Sequence, residues 1–220
     1  LSSIQLTSNV WQIGEVISKK VSIGTIDDIT WDRKFLSLQE LEKLKIMQQK
    51  FDGIPQLLKS FVVKEANGGL YLYFLFKDHG TPISLISLKN WKQILKIFWS
   101  CAGIIHGLEK NLKFEHRNLT LDNILIDGNG NITIIDFKCS RLQTPQDDVL
   151  YLRLDHPLFF LNGKDKSKIN EYQYQFEFEI YQSMRILLNM DASAFEPMTN
   201  LYWLYYLSRV LLKFGDRKLG

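Results

Sequence analysis

Phe114-Glu115-His116-Arg117-Asn118-Leu119-Thr120-Leu121-Asp122-Asn123, followed by Ile134-Ile135-Asp136-Phe137-Lys138, is the stretch whose reading decides the fold. Between its halves lie two short apolar runs, Asn123 to Ile126 and Ile132 to Ile135, joined by Asp127-Gly128-Asn129-Gly130. Asp, Gly and Asn are turn residues, so the runs form an antiparallel hairpin. Asn123 and Asp136 stand 13 residues apart across that turn. Pairing of the strands brings them together at the open end, where an amide and a carboxylate share one site.

Working outward, the front third is strand-rich. Ile4 to Thr7, Val10 to Val16 and Val21 to Ile23 alternate apolar and polar residues as half-buried antiparallel strands do. Ser37 with Glu40 fits a capping box, with Leu38, Leu41, Leu44 and Met47 following at helical spacing until Gly53 and Pro55. Lys59–Lys64 and Leu70–Phe76 flank a Gly68-Gly69 turn. Asn90 with Gln93 caps a second helix, whose stripe is Trp91, Ile94, Leu95, Phe98, Cys101, Ala102, Ile105 and Leu108. After the hairpin an irregular segment runs from Phe137 to about Asn170, and two helices follow near 174–188 and 199–214. This order predicts an α+β fold of two lobes, residues 1–77 and 78–220, with the boundary near Lys77–Gly80.

Composition narrows the function. A formal charge of +3 on 220 residues gives no support to direct nucleic-acid binding. Cys101 and Cys139 have neither zinc-ligand spacing nor a disulfide pattern, so a reducing compartment is expected. His79, His106 and His156 show no metal spacing. No apolar run reaches the roughly 18 residues of a membrane span, and the first residues lack the features of a signal peptide. A soluble intracellular monomer is the expectation.

The loop, hairpin and Asp-Phe together resemble the kinase sequence H-R-D-L-x-x-x-N followed by D-F-G. Within the kinases the chain resembles the haspin family. Ile134-Ile135-Asp136-Phe137-Lys138-Cys139-Ser140-Arg141-Leu142 is similar to its I-I-D-Y-T-x-S-R-L. Thr199 to Leu207 matches its S-N-V-L-W-L-H-Y-L, and Tyr174 to Tyr181 with Met184-Arg185 resembles the helix before it. The resemblance implies a two-lobed protein kinase fold binding ATP and Mg²⁺, with Asn123 and Asp136 as metal ligands. Phe74 falls at the gatekeeper position, and Leu75, Phe76 and Lys77 form the hinge whose backbone meets adenine. His116 and Arg117 read as structural. A protein partner such as a histone tail and a nuclear location follow from the resemblance alone.

The chain departs from the pattern in its front third. Ile4 to Val10 holds no glycine where backbone must approach phosphate closely. Aligning Val21-Ser22-Ile23-Gly24 with V-A-I-K puts Gly24 at the phosphate-pairing lysine, with Lys19 and Lys20 nearby. Its helix partner is Glu40 or Glu42. Asn118 stands in place of the catalytic aspartate, and an amide cannot take up a hydroxyl proton. The chain thus reads as a pseudokinase acting by binding, to a histone tail or chromatin partner. The alternatives are a divergent but active haspin-type kinase phosphorylating a core-histone threonine, and a small-molecule phosphotransferase of the same fold. Tyr202, Trp203, Tyr205 and Tyr206 read as core; Lys164, Lys166 and Lys168 as a solvated loop; Glu177 and Glu179 as helix surface; and Asp122 as solvated.

Overall fold

The computed structural model describes residues 3–25, 31–88, 90–156, 159 and 171–219. Five antiparallel strands make the first sheet: β1 (Ser3–Thr7), β2 (Val10–Ile13), β3 (Val16–Thr25), β4 (Leu57–Lys64) and β5 (Gly69–Lys77), in the order β1-β2-β3-β5-β4. The single strand expected from Val10 to Val16 is two. Gly14, with φ +61, and Glu15 turn the chain so that Ile13 pairs with Val16. Gly68, at φ +80, supplies the left-handed corner between β4 and β5. Pleat alternation sends Leu72 and Phe74 of β5, an inner strand between β3 and β4, into the core.

Helix α1 (Trp31–Gln48) lies against β3. It begins six residues before Ser37, so Ser37 and Glu40 are not a cap; both are buried inside the helix. The buried stripe runs Leu36, Glu40, Lys43, Leu44 and Met47. Two charged residues interrupt it because each meets a partner across the interface, described below. Apolar periodicity alone therefore placed this helix start too late.

The remainder is helical around a small sheet. Strand β6 (Thr81–Pro82) leads to α2 (Trp91–Leu112), where Asn90 Oδ1 accepts the Gln93 amide at 3.0 Å, the predicted cap. Ile94, Ile97, Cys101, Ile105, Leu108 and Leu112 form the buried face of α2, while Trp91 and Leu95 of the expected stripe are exposed. Strands β7 (Ile124–Ile126) and β8 (Ile132–Ile134) form the expected hairpin beside β6, its turn held by the Asn129 and Asn131 amides donating to Asp127 Oδ1. A short pair follows, β9 (Leu142–Gln143) with β10 (Val149–Leu150), then α3 (Glu171–Leu187) and α4 (Met198–Leu219). Trp203 and Tyr206 of α4 are core, as expected, whereas Tyr205 is exposed. Among the described residues no helix is long and apolar enough to cross a membrane. Lys164, Lys166 and Lys168 lie outside the described residues.

Candidate active site

The hairpin does what its turn predicted. The Ile135 amide donates to the Asn123 carbonyl at 2.9 Å, which sets Asn123 and Asp136 side by side at the open end. Asn123 Nδ2 donates to the Asn118 carbonyl at 2.8 Å, so its Oδ1 is the atom left for a ligand. His116 is fully buried. Its Nδ1 accepts the Asn118 amide at 3.3 Å and its Nε2 faces the Ile135 carbonyl at 3.2 Å. Only the neutral Nε2–H tautomer satisfies both contacts. Burial lowers the His116 pKa to about 4, opposed by the Asp136 charge.

An unfolded histidine binds its proton near pH 6.5, so between about pH 6.5 and 4 the unfolded chain takes up a proton the folded one refuses. Stability from this group is present above that window and lost through it, about 3 kcal/mol in all. Chemical denaturation of the native chain and of His116→Gln at pH 7 and pH 4.5 checks this; the native chain is expected to lose more.

Arg117 is buried and structural, as expected. Its Nε donates to Glu115 Oε2 at 2.9 Å, and its Nη1 and Nη2 to the carbonyls of Ala192 and Ala194 at 2.8 and 3.1 Å. The guanidinium is thereby committed to the α3–α4 connection. Phe137 packs fully buried between Phe114 and His116, with ring centroids 6.0 and 5.6 Å away.

The structure corrects the lysine. Lys19 Nζ meets Glu40 Oε1 at 2.8 Å, joining β3 to α1, and Lys19 pairs in register with Phe74 of β5. Gly24 sits at the far end of β3 opposite Leu70, with φ +119 beside a register irregularity. Strand parity explains the choice: Lys19 shares the face of Val21 and Ile23, which points at α1 and the core, whereas Lys20 turns outward to Glu65 and the Tyr71 ring. Glu42 is exposed, which settles the partner as Glu40. At the β1–β2 corner Ser8 and Asn9 stand where the resemblance wants glycines.

Asp136 has left-handed backbone, φ +64. Its Oδ1 is buried with no hydrogen-bond partner among the described residues, and Lys138 Nζ stands 3.4 Å from it. Burial works to raise the Asp136 pKa, but the Lys138 and Lys19 charges override it and hold the carboxyl ionised, at about 2. Lys43, buried on α1, donates to the carbonyls of Phe137 at 3.1 Å and Ser140 at 2.5 Å, tying that helix to the segment after Asp136. Phe74 is fully buried behind Lys19, whose ammonium lies 5.6 Å from its ring centroid. Leu75, Phe76 and Lys77 are still in β5. The Lys77 amide donates to the Gln56 carbonyl at 3.0 Å and so is not free for a ligand.

One site residue had no role assigned from the sequence, although it falls in the Tyr174–Tyr181 stretch that resembles the family's helix. Tyr181 of α3 donates its hydroxyl to Asn118 Oδ1 at 2.8 Å, and burial keeps this phenol protonated by raising its pKa. The acceptor oxygen of Asn118 is therefore already engaged. Glu177, expected on the surface, is buried and accepts the Tyr206 hydroxyl at 2.9 Å; Glu179 is exposed. Asp122 is exposed and accepts from Ser84 Oγ at 2.5 Å.

These residues fit a magnesium nucleotide. Asn123 Oδ1 and the Asp136 carboxylate are hard oxygen donors, and Asp136 Oδ1 has no hydrogen bond among the described residues, its near neighbour being the Lys138 ammonium. The Lys19–Glu40 pair presents an ammonium for phosphate oxygens.

The family described as Haspin like kinase domain matches residues 1–218. The chain is 99% identical, over its whole length, to a stretch making up 29% of the serine/threonine-protein kinase Haspin homolog ALK1 of Saccharomyces cerevisiae. It is 41% identical over 98% of its length to Haspin homolog ALK2 of the same yeast, covering 32% of that protein. The haspin homolog of Drosophila melanogaster is 33% identical over 87% of the chain, which covers 37% of it. The chain thus spans about a third of the length of these relatives.

Proposed function

The chain belongs to the haspin-like kinase family, and from that premise we propose a nucleotide-binding kinase domain whose phosphoryl transfer is reduced to a residual rate. The observation that carries this is Asn118, at the position of the proton acceptor, with its Oδ1 already accepting from Tyr181. A neutral amide orients a hydroxyl but has no basicity for its proton. The apparatus around it is otherwise assembled. Lys19, fixed by Glu40, supplies positive charge to the phosphates, and Phe74 closes the back of the cleft. Asn123 and Asp136 are the residues to hold Mg²⁺, which when bound neutralises phosphate charge. At the β1–β2 corner the missing glycines weaken backbone contact to the phosphates.

The domain then acts chiefly by binding. The proposed partner is a histone-tail-type peptide carrying serine or threonine, met on chromatin in the nucleus; the support is the family and the relatives' naming as serine/threonine-protein kinases. A second reading, a working kinase of low rate, is favoured by the Lys19–Glu40 pair, because its presence leaves two departures from the kinase pattern where the sequence suggested three. Transfer to small alcohols has no support from the family match.

Calorimetric titration with ATP in Mg²⁺ tests the reading. The native domain is expected to bind, and Lys19→Met to bind about 10- to 100-fold more weakly, the worth of a charge-assisted hydrogen bond. Absence of binding by the native domain at millimolar ATP overturns it.

A further inference from the structure

We propose that Lys138 is a tethered cation standing in for the divalent metal, so that this domain binds nucleotide with little dependence on Mg²⁺. The proposal rests on the nucleotide-binding reading above. The residue after Asp136-Phe137 is glycine in the kinase pattern and threonine in the haspin pattern quoted above; here it carries an ammonium on a four-carbon stem. That ammonium lies 3.4 Å from Asp136 Oδ1, the oxygen a metal ligand must offer. Both side chains keep partial exposure, 28% and 29%, although the contacting Asp136 Oδ1 is itself buried.

Charge matching gives the arrangement its consequence. Glu40 is compensated by Lys19 and Asp136 by Lys138, so both carboxylates of the cleft have a cation of the chain's own. In a kinase with glycine at this position, Asp136 lacks that neighbour and the metal supplies the positive charge between carboxylate and phosphate. Here a metal must displace or crowd an ammonium that costs no binding entropy to recruit. The contact also lacks hydrogen-bond alignment, since Asp136 Oδ1 has no hydrogen-bond partner among the described residues. Lys138 is therefore held mainly by charge and can swing to phosphate oxygens while remaining beside Asp136. Lys43 fixes the backbone on either side of it through the Phe137 and Ser140 carbonyls, so the ammonium moves from a fixed base.

ATP affinity measured in excess EDTA and in Mg²⁺, for the native domain and for Lys138→Thr and Lys138→Arg, tests this. The native domain and Lys138→Arg are expected to change by less than about threefold between the two conditions, since both keep the cation. Lys138→Thr is expected to lose about tenfold or more in EDTA and to recover in Mg²⁺, the loss being that of one charge-assisted contact. A native domain that loses about tenfold or more in EDTA overturns the proposal, as does a Lys138→Thr affinity in EDTA equal to the native one. Mn²⁺ binding followed by electron paramagnetic resonance without nucleotide gives an independent readout. Lys138→Thr should bind Mn²⁺ about tenfold more tightly than the native domain, and equal affinities contradict the role of Lys138. If the native domain binds no ATP in either condition, the nucleotide reading fails, and the Mn²⁺ comparison still decides whether Lys138 competes for the metal position.

Discussion

Replacing Asn118 with aspartate is expected to raise phosphoryl transfer about a hundredfold or more at unchanged ATP affinity. The position is already built for a carboxylate. Its amide is fixed to His116 Nδ1, its carbonyl to Asn123 Nδ2, and its side-chain oxygen accepts from Tyr181. A carboxylate there keeps the Tyr181 bond as a charge-assisted one and still has a second oxygen for the acceptor hydroxyl. A positioned general base contributes about 10²–10⁴-fold, and the chain lacks one. Because no nucleotide contact changes, the gain falls in the chemical step. A single-turnover assay on a histone-tail peptide reads it directly. Adding Tyr181→Phe to Asn118→Asp should take back part of the gain and move the acid limb of the pH–rate profile upward, because the hydroxyl no longer favours the ionised base. An Asn118→Asp variant no faster than the native chain removes Asn118 from the explanation of a low rate.

The second large effect concerns stability. Glu115→Ala is expected to cost about 3–5 kcal/mol, the loss typical when one partner of a buried ion pair is removed. Glu115 is fully buried. Its carboxylate accepts Arg117 Nε at 2.9 Å, the Glu196 amide at 2.8 Å and the Thr199 hydroxyl at 2.7 Å. Without it the Arg117 guanidinium is left in the interior with only carbonyl partners, and the start of α4 loses two bonds to the loop that carries Asn118. A domain of ordinary stability has about 5–15 kcal/mol in total, so this one change removes about a fifth of it or more. Glu115→Gln keeps one acceptor oxygen where the carboxylate has two, so it holds the Thr199 and Arg117 contacts or the Glu196 one and should cost less than alanine. Urea unfolding of the three proteins gives the order, and equal midpoints contradict the account.

Legibility followed the range of the interactions. The hairpin that joins Asn123 to Asp136 was readable because turn chemistry and short-range pairing set it, and the Asn90 cap for the same reason. Lys19 was misplaced because V-S-I-G imitates a motif in letters, whereas the decisive fact is parity: which side chains of β3 face α1 once that strand pairs with β5. Gly14 split a strand that alternation alone left continuous. The start of α1 was hidden by Ser37 and Glu40, which look like a cap but are buried because Glu40 meets Lys19 across the sheet. Tyr181 lies 63 residues from Asn118, and nothing local marks an aromatic on a helix as the partner of a loop amide. Glu177 likewise looked like surface until Tyr206 of the next helix covered it.

The central claim is that this cleft holds nucleotide while the chemistry beside it is starved of a base. Single-turnover transfer by the native domain, preloaded with radiolabelled ATP at saturation and mixed with a histone-tail peptide, tests it most directly. Kinases turn over at about 1–100 s⁻¹, and loss of about a hundredfold or more predicts bound label with transfer slower than about 1 s⁻¹. Transfer at about 1 s⁻¹ or faster would show that Asn118 is no obstacle, and absence of bound label would show that the cleft holds no nucleotide.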